Sequence, residues 1–186
     1  FHAAAGREVR DGGGVSPDIE VKQERLPNIL FYLVRDNLIF DYATDYCLKH
    51  PAIASAKEFE LTDADYEEFK NKVKGADFKY DQQSEKILNT LKEAAEFEGY
   101  MKDASDEFKA LENKLKHNLD RDLEYFSKDI KKMIAEEIIK RYYYQEGAII
   151  QQLKDDKDLD EAVKVLTNPE RYQQILSVTA VTAKKE

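Results

Sequence analysis

Leu119-Asp120-Arg121-Asp122-Leu123-Glu124-Tyr125-Phe126-Ser127-Lys128-Asp129-Ile130-Lys131-Lys132-Met133-Ile134-Ala135-Glu136-Glu137-Ile138 carries apolar side chains at 119, 123, 126, 130, 133, 134 and 138. Steps of three and four return to one face of an α-helix, whereas a half-buried strand alternates every second residue. The stretch therefore predicts a helix with one face turned to a core. Upstream, the stripe is prefigured by Phe108, Leu111 and Leu115, with a break near Asn118. Downstream it runs on through Tyr142, Tyr143 and Tyr144 toward Leu153. Gly147 lies inside that run and costs about 1 kcal/mol against Ala, so a kink is expected there. The near-heptad spacing fits antiparallel helix packing. Lys116 and Asp122 interrupt it as a coiled-coil seam.

The same spacing recurs in both directions. A first helix is expected from about Pro27, a residue suited to the first helical turn, to Leu48, before Pro51. Its apolar residues, from Ile29 to Cys47, lie nearly all round, which predicts a central helix or a joint to another domain. Thr62 with Asp65 three residues on reads as a capping box ahead of Tyr66, Phe69 and Val73, and Gly75 ends that helix. Ser84 is the expected cap of a third, with Ile87, Leu88, Leu91, Ala94 and Ala95, ending near Gly99. Another begins near Ser105. Asp155-Asp156-Lys157-Asp158 breaks the pattern before a short helix with Leu159, Ala162, Val163, Val165 and Leu166. Asn168-Pro169 opens the last one, and residues 177–186 are expected to fray.

The first twenty-one residues differ in kind. They hold four of the seven glycines, including Gly12-Gly13-Gly14, and the string Val15-Ser16-Pro17-Asp18-Ile19-Glu20-Val21. This reads as strand, Gly-rich turn and strand, with Ile19 and Val21 on one face. Two short strands need a sheet this chain does not contain, or another copy to pair with. The reading is that the chain opens in the middle of a larger protein, with the edge of a β-rich domain fused to a helical one.

Composition limits the function. The 186 residues suffice to bury roughly 70% of the unfolded surface. The net charge of -9 gives a surface that repels phosphate, so neither nucleic acid nor an anionic membrane surface is an expected partner. No apolar run approaches the roughly 18–20 residues of a membrane span. Phe1-His2-Ala3-Ala4-Ala5-Gly6 does not read as a signal peptide. Cys47 is the only cysteine, which excludes an internal disulfide, and one Cys with three scattered His cannot supply a structural zinc site. Its place among apolar helical residues reads as a buried, inert thiol.

The chemistry-bearing residue types do not assemble into a motif. None of the serines stands in a Gly-x-Ser-x-Gly turn. His50 before Pro51 reads as a partner for the last carbonyls of its helix. Asp63 with Asp65, Glu136 with Glu137, and Asp155 with Asp156 read as solvated faces and helix starts. Asp155–Asp160 lacks the central glycine and the spaced final Glu of a calcium loop. Gly12–Gly14 is followed by no Lys-Ser or Lys-Thr and reads as a turn. Three consecutive Tyr after Arg141 spread over about 200° of helix, so core packing is expected for some and surface for at least one. No catalytic, cofactor-binding or metal-binding residue is assigned, and no cofactor is expected.

Gly6-Arg7 followed by Gly14-Val15-Ser16-Pro17-Asp18-Ile19-Glu20-Val21 resembles the closing part of the core domain of bacterial C-terminal processing peptidases, the tail-specific proteases. Ala5 stands where that family commonly has Ser, and Val15 where it has Ile. Asn37-Leu38-Ile39-Phe40-Asp41-Tyr42-Ala43, Glu58-Phe59 with Leu61-Thr62-Asp63-Ala64-Asp65-Tyr66, and Arg141-Tyr142-Tyr143-Tyr144-Gln145 with Gly147 look like the helical tail of one branch. The resemblance implies a parent serine peptidase with a Ser/Lys dyad, a PDZ domain engaging substrate C-termini, and a periplasmic or cell-envelope location. In such a dyad a desolvated neutral Lys acts as base. No position here matches the family's nucleophile or base motifs, so this chain is expected to be inactive by itself.

The expected fold is mainly α, a multi-helix bundle with a short N-terminal strand-and-turn remnant of a peptidase core. Residues 1–25 would be that edge, 26–176 the helical domain and 177–186 a tail. The implied partners are the parent's own peptidase and PDZ domains, its protein substrates and a possible second copy. The competing reading is an independent helical protein-interaction domain, with the 108–138 stripe and Tyr142 to Tyr144 as its surface.

Overall fold

A computed structural model describes residues 17–22 and 25–177. Among these residues there are nine α-helices, one 3-10 turn and no strand. The strand-and-turn expectation for residues 1–16 lies outside the described residues. At 17–22 the backbone is a bend at Asp18–Ile19 followed by irregular chain. The described residues divide into two units, one spanning Arg25–Gln152 and one combining residues 17–22 with residues 153–177.

In the larger unit the order is α1 (Asn28–Arg35), α2 (Leu38–Lys49), α3 (Asp63–Gly75), α4 (Gln83–Phe97), α5 (Met101–Leu115), α6 (Leu119–Tyr125) and α7 (Ser127–Gln152). The expected single helix from Pro27 to Leu48 is two helices. The Asp36 amide donates to Tyr32 O at 2.9 Å and the Asn37 amide to Val34 O at 3.0 Å, and Asn37 then turns left-handed at φ 58°. Asn tolerates that conformation where most side chains do not. The break also overturns all-round burial. Ile29, Leu30, Leu33, Leu38, Ile39, Tyr42, Ala43 and Tyr46 are buried, whereas Phe31, Val34, Phe40 and Leu48 are exposed.

The core is built by α1, α2, α3, α6 and α7, with α2 lying along α7. Leu33, Phe69, Val73, Leu123, Ile130, Ile134, Ile138 and Ile139 are fully buried within it. Each such side chain contributes about 1.5–3 kcal/mol, so burial outweighs any single cap at about 1 kcal/mol. The caps fix where helices start. Thr62 and Asp65 form the expected capping box, with the Asp65 amide donating to Thr62 Oγ1 at 3.1 Å and the Thr62 amide to Asp65 Oδ2 at 3.2 Å. Asn118 Oδ1 accepts from the Arg121 amide at 2.9 Å and opens α6. Buried phenols tie helices together: Tyr42 Oη donates to Asp65 O at 2.6 Å and Tyr66 Oη to Leu123 O at 2.5 Å.

Helices α4 and α5 form a hairpin that contributes nothing to this core cluster. Their turn is a Schellman motif: Gly99 takes φ 84°, its amide donates to Glu96 O at 3.1 Å, and the Tyr100 amide reaches back to Ala95 O at 2.8 Å. Helix α4 starts at Gln83 with no side-chain cap bond, so Ser84 is not its cap, and α5 starts at Met101, before Ser105. Helix α7 is not uniform. It departs from helical geometry at Tyr144 (φ 53°, ψ −151°), three residues before the glycine where the kink was expected. Gly147 instead serves close packing, because a Cβ there would lie 2.8 Å from Ile139 Cγ2 and would collide with Tyr143 Cβ.

In the smaller unit a 3-10 turn (Leu153–Asp155) leads to α8 (Lys157–Leu166) and α9 (Pro169–Leu176). Asp156 Oδ1 caps α8 through the Leu159 amide at 2.9 Å. Asn168 Oδ1 caps α9 through the Arg171 amide at 3.0 Å, with Pro169 at the first helical position.

Candidate functional sites: the Asp122 network, the tyrosine cluster and the apolar faces

Asp122 is buried at 3% exposure, in an acidic chain whose carboxylates are otherwise mostly solvated. Its Oδ2 accepts from Tyr80 Oη at 2.5 Å and from Gln82 Nε2 at 2.9 Å, and its Oδ1 from Arg121 Nη1 at 2.9 Å. A buried carboxylate is tolerable only when donors satisfy it in this way. Burial first, and then the bond to Asp122, push the Tyr80 phenol above its ordinary range. The His117 ring meets Tyr80 edge-on at 4.6 Å. Saturated with donors, Asp122 works as a structural tie between the 80–82 segment and α6. Beside it, between the open ends of α4 and α5, lies a cleft of about 440 Å³ of mixed character, bordered by Glu85, Leu88, Asn89, Glu112, Asn113, Leu115, Lys116 and His117.

Sequence reasoning named Asp122 only as a charge interrupting the stripe, not as a buried residue. The available signal was its place between Leu119 and Leu123 on the buried stripe, four residues after a capping Asn. The paired carboxylates at 63/65 and 155/156 lie at helix starts as expected, whereas Glu136 and Glu137 are half-buried and ion-paired to Lys140 and Arg141 rather than a solvated face. Asp63 bonds Lys131 at 2.5 Å, Asp65 belongs to the capping box and Asp156 caps α8. Among the described residues no group of three or more His, Cys, Asp and Glu is placed to hold a metal ion.

The Arg141–Tyr144 cluster is mainly a fastening between α7 and the chain on either side of Pro51. Arg141 donates to Glu137 Oε1 at 2.7 Å, to Phe40 O at 3.1 Å and to Thr44 Oγ1 at 3.2 Å, and its guanidinium lies 4.6 Å from the Phe40 ring centre. Tyr142 Oη donates to His50 O, and Tyr143 Oη to Ala54 O at 3.0 Å. Burial, followed by Cys47, pushes the Tyr142 phenol up to about 12. His50 Nδ1 lies 2.8 Å from Tyr46 O, closing the end of α2 as expected. Gln151 Nε2 donates to Ala56 O at 2.8 Å and Phe59 O at 3.0 Å. Of the three tyrosines only Tyr144 stands out, at 78% exposure.

The 108–138 stripe is not one surface. Leu123, Ile130, Ile134 and Ile138 are core, and in its upstream part Leu111 is exposed while Phe108 and Leu115 are half-buried. An interaction domain could not present it without unfolding. The outward apolar residues are elsewhere: Phe31, Val34, Phe40 and Leu48 on α1 and α2, and Ile87, Leu91, Phe97 and Tyr100 on the α4–α5 hairpin. Phe40, Thr44 and Leu48 recur every four residues, so they share one face of α2. No helix among the described residues is long and apolar enough to cross a membrane.

A family profile described as "Probable PDZ-protease, C-terminal helical domain" matches residues 29–166. The match runs from α1 through α8 and includes the Asp122 and tyrosine clusters. No curated protein and no solved structure matches the chain.

Proposed function

Because this chain belongs to the family of C-terminal helical domains of probable PDZ-proteases, we propose that it is the helical module of a C-terminal processing peptidase. It is a protease-associated helical domain. The finer reading is a parent with a Ser/Lys dyad in a core upstream of Phe1, hydrolysing peptide bonds near substrate C-termini in the cell envelope. The observation that carries it is the family match over residues 29–166. The resemblance of Gly14–Val21 to the closing part of such a core supports it. The Arg141–Gly147 motif supports it too, because its residues fasten α7 to α2 and to residues 50–56. The exposed apolar residues of α1 and α2 are the surface offered to the rest of the parent.

In this reading the module's contribution is mechanical. Among the described residues the charged side chains are mostly ion-paired or solvated, and the one deeply buried carboxylate, Asp122, is held by three donors. A nucleophile needs a positioned base and an oxyanion site, which the upstream core would supply. The test is peptide cleavage by the purified 186-residue chain and by the full-length parent under the same conditions. Cleavage by the parent alone is expected. Cleavage by the 186-residue chain, or a parent without any, would overturn the reading.

A further inference from the structure

Helices α4 and α5 pack on each other and lend no residue to the main core. Leu88 and Ala95 of α4 are buried, and on α5 Met101, Ser105 and Phe108 are half-buried. Ile87, Leu91 and Leu111 stand outside that contact, each between 41% and 58% exposed. Ile87, Leu91 and Ala94 recur at helical spacing, a step round α4 from Leu88 and Ala95. Leu111 is offset in the same rotational sense from Met101 and Ser105 on α5. One helix of an antiparallel pair is seen from its N-terminus and the other from its C-terminus, so equal offsets fall on the same flank of the hairpin. That flank is an apolar strip open to water.

The charges along its edge say what covers it. Glu107 and Lys114 lie four residues before and three after Leu111, on the same face of α5. Neighbouring charges are satisfied inside the chain: Lys92 Nζ lies 2.6 Å from Glu112, and Lys109 Nζ 3.6 Å from Asp106. Glu107 and Lys114 are exposed, and neither has an ion partner among the described residues. An acid and a base set almost symmetrically about a leucine are complementary to the same pattern run backwards.

We propose that this flank binds the same flank of a second copy of the chain, with α5 antiparallel to the partner's α5. Leu111 then meets the partner's Leu111 near the twofold axis. Glu107 faces the partner's Lys114, and Lys114 faces the partner's Glu107. The same axis lays α4 against the partner's α4 and covers Ile87 and Leu91, so that two hairpins close into a four-helix bundle. The apolar strip supplies the affinity, and the ion pairs at its rim fix the direction of pairing. The pairing needs only residues 83–115 of each copy and stands whether or not the parent is a peptidase.

Sedimentation equilibrium of the 186-residue chain over about 1–300 µM should show the mass rising toward that of two chains. Leu111→Asp and Ile87→Asp, both at exposed positions where the fold tolerates a charge, should each weaken association at least about tenfold. Glu107→Lys sets like charges against each other at both ends of the α5 pair and should also weaken it at least about tenfold. Adding Lys114→Glu to that variant makes the facing charges opposite again and should return the dissociation constant to within about threefold of the original. A chain that stays monomeric throughout would overturn the proposal. So would a dimer that Leu111→Asp and Ile87→Asp leave intact, which would place the interface elsewhere. A double reversal that associates no more tightly than Glu107→Lys alone would overturn the antiparallel pairing.

Discussion

Tyr80 Oη donates to the Asp122 carboxylate at 2.5 Å, across 42 residues of sequence. The bond holds the segment ahead of α4 against the start of the α6–α7 pair. Gln82 and Arg121 complete the set, so removing the carboxylate takes the acceptor from the half-buried Tyr80 and Gln82, while the exposed Arg121 turns to water. Asp122→Ala should lower stability by about 1.5–3 kcal/mol, the range for hydrogen bonds to a charged group. Asp122→Asn, which keeps an acceptor for Tyr80, should cost less. Urea midpoints of the two variants check this, and equal losses would refute the account.

Two glycine substitutions should act with opposite signs. At Gly147 a Cβ lands 2.8 Å from Ile139 Cγ2 and against the fixed Cβ of Tyr143, so overpacking outweighs the gain in helix propensity. Gly147→Ala should destabilise by about 1–3 kcal/mol. At Gly75, the last residue of α3, nothing lies within 4 Å. Gly75→Ala should stabilise by about 0.5–1 kcal/mol through reduced freedom of the unfolded chain. Thermal unfolding of both variants is the measurement.

Tyr144 holds φ 53° with its side chain in water, so its backbone gains nothing from packing that would offset the strain. Comparing Tyr144→Gly with Tyr144→Ala removes the phenol in both and isolates the Cβ. Inside an ordinary helix Ala is better by about 1 kcal/mol. Here Gly should be the more stable variant by about 1 kcal/mol, because a positive φ costs it nothing. The opposite order in chemical denaturation would show that the backbone at 144 is helical.

Acid and alkali should act through different residues. Bonds from Lys72 and Lys131 hold the Asp45 and Asp63 carboxyls below their ordinary value of 3.8. A carboxyl whose pKa is lower folded than unfolded stabilises the fold above that ordinary value, and the contribution is lost as pH falls through the depressed value. Being exposed, these pairs give a shallow, salt-sensitive loss. Burial raises the Tyr42, Tyr66 and Tyr80 phenols above 10.0. Their contribution is complete below 10.0 and disappears as pH rises toward the folded values. Urea midpoints across pH should therefore fall gently below about 4 and steeply above about 10. A phenolate absorbance titration should show these three ionising only with unfolding.

Local signals were legible in the sequence and non-local ones were not. Thr62, Asn118, Asp156 and Asn168 each satisfy an amide three residues on, so their patterns reported helix starts faithfully. The break at Asn37 was hidden because apolar residues continue on both sides of it. Whether Phe40 or Tyr42 is interior depends on where α7 lies, about a hundred residues on. The near-heptad stripe carried one spacing across two environments: α6–α7 found a core, and α5 found only α4. Asp122 looked like one more acidic residue because its donors at 80 and 82 arrive from a distant turn. The family resemblance drew on residues such as Tyr142 and Gly147, whose part in packing becomes plain only once residues 50–56 lie beside them.

The Schellman turn at Glu98–Tyr100 closes an arm whose two helices rely on each other and lend no side chain to the main cluster. Relatives could therefore insert or delete matched turns in α4 and α5 without disturbing the fold. Each added residue would carry the tip, with Phe97 and Tyr100, about 1.5 Å further out. Reach, rather than stability, is the property such an arm leaves open to evolution.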